Sequence, residues 1–274
     1  MGQYILCTSE LAAQPLCIRE LGLRLYSGEE LCYYIYHNLA LIDGDFISAE
    51  LFSFLDIELG MRDTVSKIKK MLDPSNPQPP TLGKVLLLLV RDMHYFNDEE
   101  LGAFEQELER FRRMTDEERL LERGDALLGR GKYTNAISVY ELYLSENGKK
   151  GMSIEEEERA LQHLAMVYIR QYLYDKGLSC LKRAYELQRS KELLKQIYFL
   201  SIYSDVNLPA DYFTIETPET LMEWQDEYHK KVDLVSDRLE NSKLSVILSR
   251  DSLRREKELQ TYLEQLKSAY RDSE

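Results

Sequence analysis

Apolar residues recur at intervals of three and four along most of the chain, the period that places them on one face of an α-helix. In the first clear stretch, Leu31, Tyr34 and Ile35 share such a face downstream of Ser27. The same spacing predicts further helices over residues 48–59, 64–72, 82–93 and 98–113.

Several predicted helices begin with side chains that cap the first turn. Ser27, Thr115 and Ser153 are each followed three residues later by Glu, a pair that satisfies two backbone N–H groups reciprocally. Asn97 repeats the signal in a weaker form, and Thr217 precedes a proline at the first helical position, where the missing N–H costs nothing. Since the chain holds only 13 Gly and 7 Pro, too few for the turns of a sandwich or barrel, we predict an all-α fold.

Prolines and one strand-like segment divide the N-terminal half. Residues 3–7 indicate a short strand, for which residues 18–26 would supply a partner in a small β-hairpin. Proline cannot continue a helix, so the proline-rich residues 73–80 are predicted to form a loop or linker. The predicted organisation is an N-terminal mostly helical region over 1–80, a helical connector over 81–114, repeats with a capping helix over 115–208, and a long C-terminal helical segment over 209–274.

Two stretches of the chain share one spaced set of small and aromatic residues. In the first, Gly124 and Ala136 are small where two helices would cross, and Gly131 supplies the turn between them. Tyr133 and Tyr140 would fill the groove between the helices. The second set, displaced by 41 residues, contains Ala165, Tyr168, Tyr174, Gly177 and Ala184.

This set resembles the tetratricopeptide repeat, a hairpin of two antiparallel helices with small and aromatic residues at such offsets. Tyr143 stands where a small Ala is usual, and Gly148 replaces the closing Pro. The copies lie 41 residues apart, against about 34 in the family, which fits a longer loop over 147–151. A third hairpin begins at Leu193 but is cut short at Pro209, which predicts a capping helix. The alternative is a generic antiparallel helical bundle.

The resemblance implies a superhelix with a concave face that binds other proteins rather than catalysing a reaction. In such repeats the first helix of each hairpin lines the concave wall. The corresponding residues here are Leu121, Asp125, Leu128, Gln162, Met166, Ile169 and Arg170. This mostly apolar set predicts that the face takes an apolar segment of a partner or of this chain's own C-terminal helix. Residues 29–35 and 41–43 also resemble the N-terminal part of uncharacterised bacterial repeat proteins. This resemblance implies no particular activity for the chain.

Composition narrows the class of protein further. Hydrophobic residues make up 44% and charged residues 30%, a globular mixture. The net charge of −13 disfavours nucleic acid as a partner, because phosphate binding needs a basic face. The longest apolar run, residues 85–90, is far shorter than the roughly 20 residues of a membrane helix, and residues 1–7 lack the pattern of a signal peptide. We therefore expect a cytoplasmic protein with no membrane partner.

The sequence shows no catalytic or metal-binding motif. The candidate nucleophiles and ligands are Cys7, Cys17, Cys32, Cys180, His37, His94, His163 and His229. The cysteines lack CxxC spacing, which favours free thiols, and His163 is expected at the surface or in the groove of the second repeat. We expect a non-enzymatic protein with no cofactor and no metal.

The C-terminal residues 217–270 are predicted to form one or two long helices. Their apolar seam comprises Tyr228, Val232, Val235, Leu239, Val246, Leu259, Leu263, Leu266 and Tyr270. The seam lapses at Ser242, Ser249 and Glu256, so it is no clean coiled coil. We expect the first half to pack on the repeats through Trp224 and Tyr228, and the second half to lie free or to pair with another chain.

The leading functional hypothesis is an adaptor or scaffold that grips a segment of a partner protein. A co-chaperone or a peptide-sensing regulator is the alternative. Chaperone-binding repeats hold a terminal carboxylate with Lys, Asn and Arg, whereas the matching positions here are Leu121, Asp125, Gln162 and Met166. A co-chaperone that holds a terminal carboxylate is therefore disfavoured.

Overall fold

The computed structural model describes residues 11–76, 80–145, 152–204, 208, 210–240 and 242–272. These ranges contain thirteen α-helices and one two-stranded sheet, which confirms the all-α class. Residue contacts divide the chain into two compact units, one ending at Cys180 and the other beginning at Leu181. No helix in the described ranges is long and apolar enough to cross a membrane.

The N-terminal sheet is an antiparallel hairpin of β1 (Leu16–Ile18) and β2 (Leu23–Leu25), in which Cys17 lies opposite Arg24. Gly22 closes the turn at a φ of +67°, a backbone conformation that suits glycine. This hairpin pairs residues 16–18 with residues 23–25, whereas the predicted hairpin paired residues 3–7 with a strand within 18–26. The predicted strand at 3–7 lies outside the described residues.

The helices of the first unit are α1 (Gly28–His37), α2 (Ala49–Ser53), α3 (Arg62–Met71), α4 (Leu82–Asp92), α5 (Asp98–Arg113), α6 (Asp116–Gly129), α7 (Tyr133–Tyr143) and α8 (Ile154–Arg170). A π-helical segment, Phe54–Glu58, continues α2, and short 3₁₀ segments lie at Leu39–Leu41 and Gly44–Phe46. The next helix, α9 (Tyr174–Leu187), crosses the boundary between the units.

The predicted caps begin their helices as expected. At α1, Ser27 Oγ accepts from the Glu30 amide at 3.1 Å, and the Glu30 carboxylate accepts from the Ser27 amide at 3.2 Å. The same reciprocal pair is present at Asn97, Thr115 and Ser153. Each such cap stabilises its helix by about 1 kcal/mol.

The helices on either side of residues 73–80 share one apolar core. Its fully buried side chains include Leu31, Ile35, Leu55, Ile68, Leu89 and Phe104. Helix α4 contacts α1, α3 and α5, and the 3₁₀ segment Leu39–Leu41 packs against α6. This last contact brings the N-terminal region onto the first predicted repeat.

The second unit contains α10 (Lys191–Tyr203), a 3₁₀ segment (Ala210–Phe213), α11 (Pro218–Glu240), α12 (Lys243–Leu248) and α13 (Ser252–Asp272). The segment predicted to form one or two long helices thus contains two long helices, α11 and α13, with the short α12 between them. The Ser242 hydroxyl accepts from the Ser245 amide at 3.2 Å and begins a new helix, because serine at a seam position caps more readily than it packs. Trp224 is buried, with its ring 5.7 Å from that of Tyr198 on α10.

Candidate partner-binding face

Two pairs of helices, α6 with α7 and α8 with α9, are joined by short turns of the same geometry. In the first turn the Lys132 amide donates to Leu127 O at 2.9 Å, and Gly131 has a φ of +70°. In the second, the Leu173 amide donates to Tyr168 O at 2.9 Å, and Tyr172 has a φ of +61°. Both α6 and α8 thus end in a Schellman motif.

Small residues allow the paired helices to approach closely. A Cβ on Gly124 would lie 2.7 Å from Tyr140 Cε1, closer than van der Waals contact allows. In the second pair, a Cβ on Gly177 would lie 2.9 Å from Ile169 Cγ1 and 3.3 Å from the Ala165 carbonyl oxygen. Gly124 therefore lies where α6 and the Tyr140 ring of α7 approach each other closely.

A partly buried polar network ties α6, α7 and α8 together at Asp125. Its Oδ1 accepts from Tyr140 Oη at 2.6 Å and contacts His163 Nδ1 at 2.6 Å. Its Oδ2 pairs with the Arg159 guanidinium. Burial opposes ionisation of Asp125, but the bonds from His163 and Tyr140 prevail and lower its pKa below the ordinary value. Burial and the Asp125 bond raise the pKa of Tyr140, so it stays a neutral donor.

A second tyrosine joins α7 to α8. Tyr168 Oη donates to Glu141 at 2.6 Å, and burial with this bond raises the Tyr168 pKa. On the neighbouring surface, Arg170 donates to Tyr133 Oη at 3.1 Å. The hydroxyl groups of Tyr133, Tyr140 and Tyr168 therefore each form a hydrogen bond with a neighbouring helix.

The seven predicted concave-face residues occupy different environments. Leu121 is buried, with 6% of its surface exposed, and Asp125 belongs to the network described above. Gln162 donates to Glu158 of its own helix at 2.7 Å. Met166, at 44% exposed, offers the largest accessible apolar surface of the set. Leu128 and Ile169 are each half-buried, and Arg170 is exposed.

A cleft of about 640 Å³ lies beside the N-terminal halves of α6 and α8. Leu121 and Asp125 line it, together with residues 36–40, the end of α5 and the first turns of α8. Sequence reasoning did not associate residues 36–40 with the repeat helices. The contact that brings them together, Leu39–Leu41 on α6, spans about eighty positions of the chain and leaves no local signal.

No known family model, curated protein or solved structure matches the chain. Within the described ranges, no group of three or more His, Cys, Asp or Glu side chains is placed to bind a metal. Cys17 is exposed, whereas Cys32 and Cys180 are buried. Burial raises the pKa of the Cys32 thiol to about 12, which makes it a poor nucleophile at neutral pH.

Proposed function

We propose that this protein is a non-enzymatic intracellular adaptor that holds a segment of another protein on a surface formed by α6 and α8. The proposal rests on one observation: the pairs α6–α7 and α8–α9 have the same kind of turn and the same kind of close helix crossing. Both helix pairs combine a Schellman turn with a close crossing at small residues, as a tetratricopeptide-like repeat requires. In such repeats the first helices form the binding surface.

The exposure pattern of α8 supports this assignment. Leu161, Leu164, Ala165 and Tyr168 are buried, whereas Met166 is exposed in the middle of the helix. A flexible and polarizable Met on an accessible helix face is typical of surfaces that bind apolar segments. Asp125 bonds to both Arg159 and His163, which fixes α6 and α8 in position.

Affinity capture with the purified full-length chain tests the proposal. Met166→Glu places a charge on the proposed surface and should remove most of each specifically captured protein, because a buried unpaired charge opposes binding. Leu142→Glu is the matched control, since Leu142 is an exposed apolar residue on α7; it should retain every captured protein. Equal capture by both variants would show that the α6–α8 surface is not the binding site.

A further inference from the structure

The cleft beside α6 and α8 carries more negative than positive side chains. Five carboxylates line it: Glu107, Glu118, Glu122, Asp125 and Glu156. They face two guanidinium groups, Arg110 and Arg159. Arg110 is already bonded to Glu107 and Glu122, each at 2.6 Å, and Arg159 is paired with Asp125.

Two of the carboxylates form no ion pair within 4 Å among the described residues. Glu118 accepts the Thr115 amide and Glu156 accepts the Ser153 amide, both at 2.7 Å and both through Oε2. These caps use part of the hydrogen-bonding capacity of each carboxylate and leave its charge in place. The cleft therefore presents a negative field to any molecule that enters it.

Aromatic side chains form part of the same cleft. Tyr36 lines it and is held by Phe104, whose ring stacks at 5.5 Å. Phe111 also lines it and already carries the Arg110 guanidinium 4.9 Å from its ring centre. Aromatic faces beside carboxylates attract cationic groups, arginine most of all.

Asn38 adds an independent indication from the wall of the cleft. Only 5% of its surface is exposed, and its Nδ2 donates to the Tyr34 carbonyl oxygen at 2.8 Å. Among the described residues, its Oδ1 is the buried side-chain oxygen that has no hydrogen-bond partner. A buried acceptor without a donor is costly, so a ligand rich in N–H groups would gain by satisfying it.

We propose that this cleft binds an arginine- or lysine-bearing segment of the partner protein. The cation lies among Glu118, Glu122 and Glu156, and its stem packs on Tyr36. The inference rests on the proposed function, because the cleft shares Leu121 and Asp125 with the α6–α8 surface. It adds the chemistry of the partner: basic residues at one end of the segment and apolar residues near Met166.

The probe is a random peptide library displayed on phage and selected on the purified full-length chain. Selected peptides should carry more Arg and Lys than Asp and Glu, and their affinity should fall as salt rises. Fluorescence anisotropy with the tightest peptide then compares two double variants. Glu118→Gln with Glu156→Gln removes both unbalanced charges yet keeps both caps, since Gln also serves in a capping box.

The matched control is Glu30→Gln with Glu100→Gln, the same change in two caps outside the cleft. The cleft variant should weaken binding about ten-fold, or roughly 1.4 kcal/mol, and the control less than about two-fold. A second pair repeats the comparison: Glu122→Lys in the cleft, and Glu105→Lys, which removes a partner of Arg91 outside it. Thermal midpoints verify that all four variants fold.

The outcomes separate the two proposals. Peptides without a basic excess, or equal affinities for the cleft and control variants, overturn the cleft assignment. If Met166→Glu still abolishes binding of those peptides, the adaptor proposal stands. If no peptide is enriched and Met166→Glu leaves lysate capture unchanged, both proposals fail.

Discussion

At the scale of single residues, the close crossing of α6 and α7 depends on a residue without a side chain, Gly124, which leaves space for the ring of Tyr140. Tyr140 is fully buried and its ring lies where a Cβ of residue 124 would project. Close-packed interiors do not absorb even one extra methyl group without a shift of neighbouring atoms. The spaced set could predict the need for a small residue here. It could not predict that Tyr140 of α7 would also donate to Asp125 of α6, the residue that contacts His163 on α8.

Gly124→Ala should therefore be less stable than Gly129→Ala, a change in the same helix where no atom lies within 4 Å of the added Cβ. Both changes gain helix propensity, but only the first overpacks the crossing, at about 1–3 kcal/mol. Urea unfolding of the two variants measures the difference. Equal midpoints at equal slopes would mean that Tyr140 moves aside freely.

At the scale of helices, local signals predicted most starts and few ends. Capping boxes need only four consecutive residues, so those at Ser27, Asn97, Thr115 and Ser153 could be found directly in the sequence. The lapse of the apolar seam at Ser242 allowed either one helix or two, and a new helix begins there. A serine in a helical pattern is compatible with a cap or with a solvent-facing residue, and only the packing of α12 on α11 and α13 decides between them.

The two turns between the paired helices offer a matched comparison. Both Gly131 and Tyr172 have positive φ, a conformation that costs a residue with a Cβ about 1 kcal/mol. Tyr172→Gly should therefore raise the free energy of unfolding by about 1 kcal/mol, and Gly131→Ala should lower it by a similar amount. Chemical denaturation of both variants provides the measurement, and shifts of the same sign in the two variants would contradict the shared turn geometry.

At the scale of the whole molecule, the contacts that create the candidate site are those furthest apart in the chain. Asn38 and Tyr36 reach the cleft because Leu39–Leu41 packs on α6. A second distant contact joins Arg123 of α6 to Glu20 in the turn of the β-hairpin, with N–O distances of 2.8 Å. Helical periodicity shows which face of α6 is apolar, but not which distant segment covers it. The fold class was therefore predictable, whereas the cleft was not.

The C-terminal helices provide the last prediction, because their apolar seam extends beyond its contacts within the second unit. Tyr228 packs against Phe199 with ring centres 5.9 Å apart. The next seam residues, Val232, Val235 and Leu239, are 41%, 54% and 63% exposed. A helix gains most of its stability from burying one face, so this stretch should pair with a second copy and make the chain self-associate.

Light scattering after gel filtration, over a range of protein concentrations, should find a concentration-dependent dimer. Val235→Glu should return the chain to a monomer, because it places an unpaired charge in the seam. Leu234→Glu is the control: Leu234 is exposed on the same helix but lies off the seam, so the dimer should persist. If the unmodified chain is monomeric at every concentration, or if both variants behave alike, the seam does not join two chains.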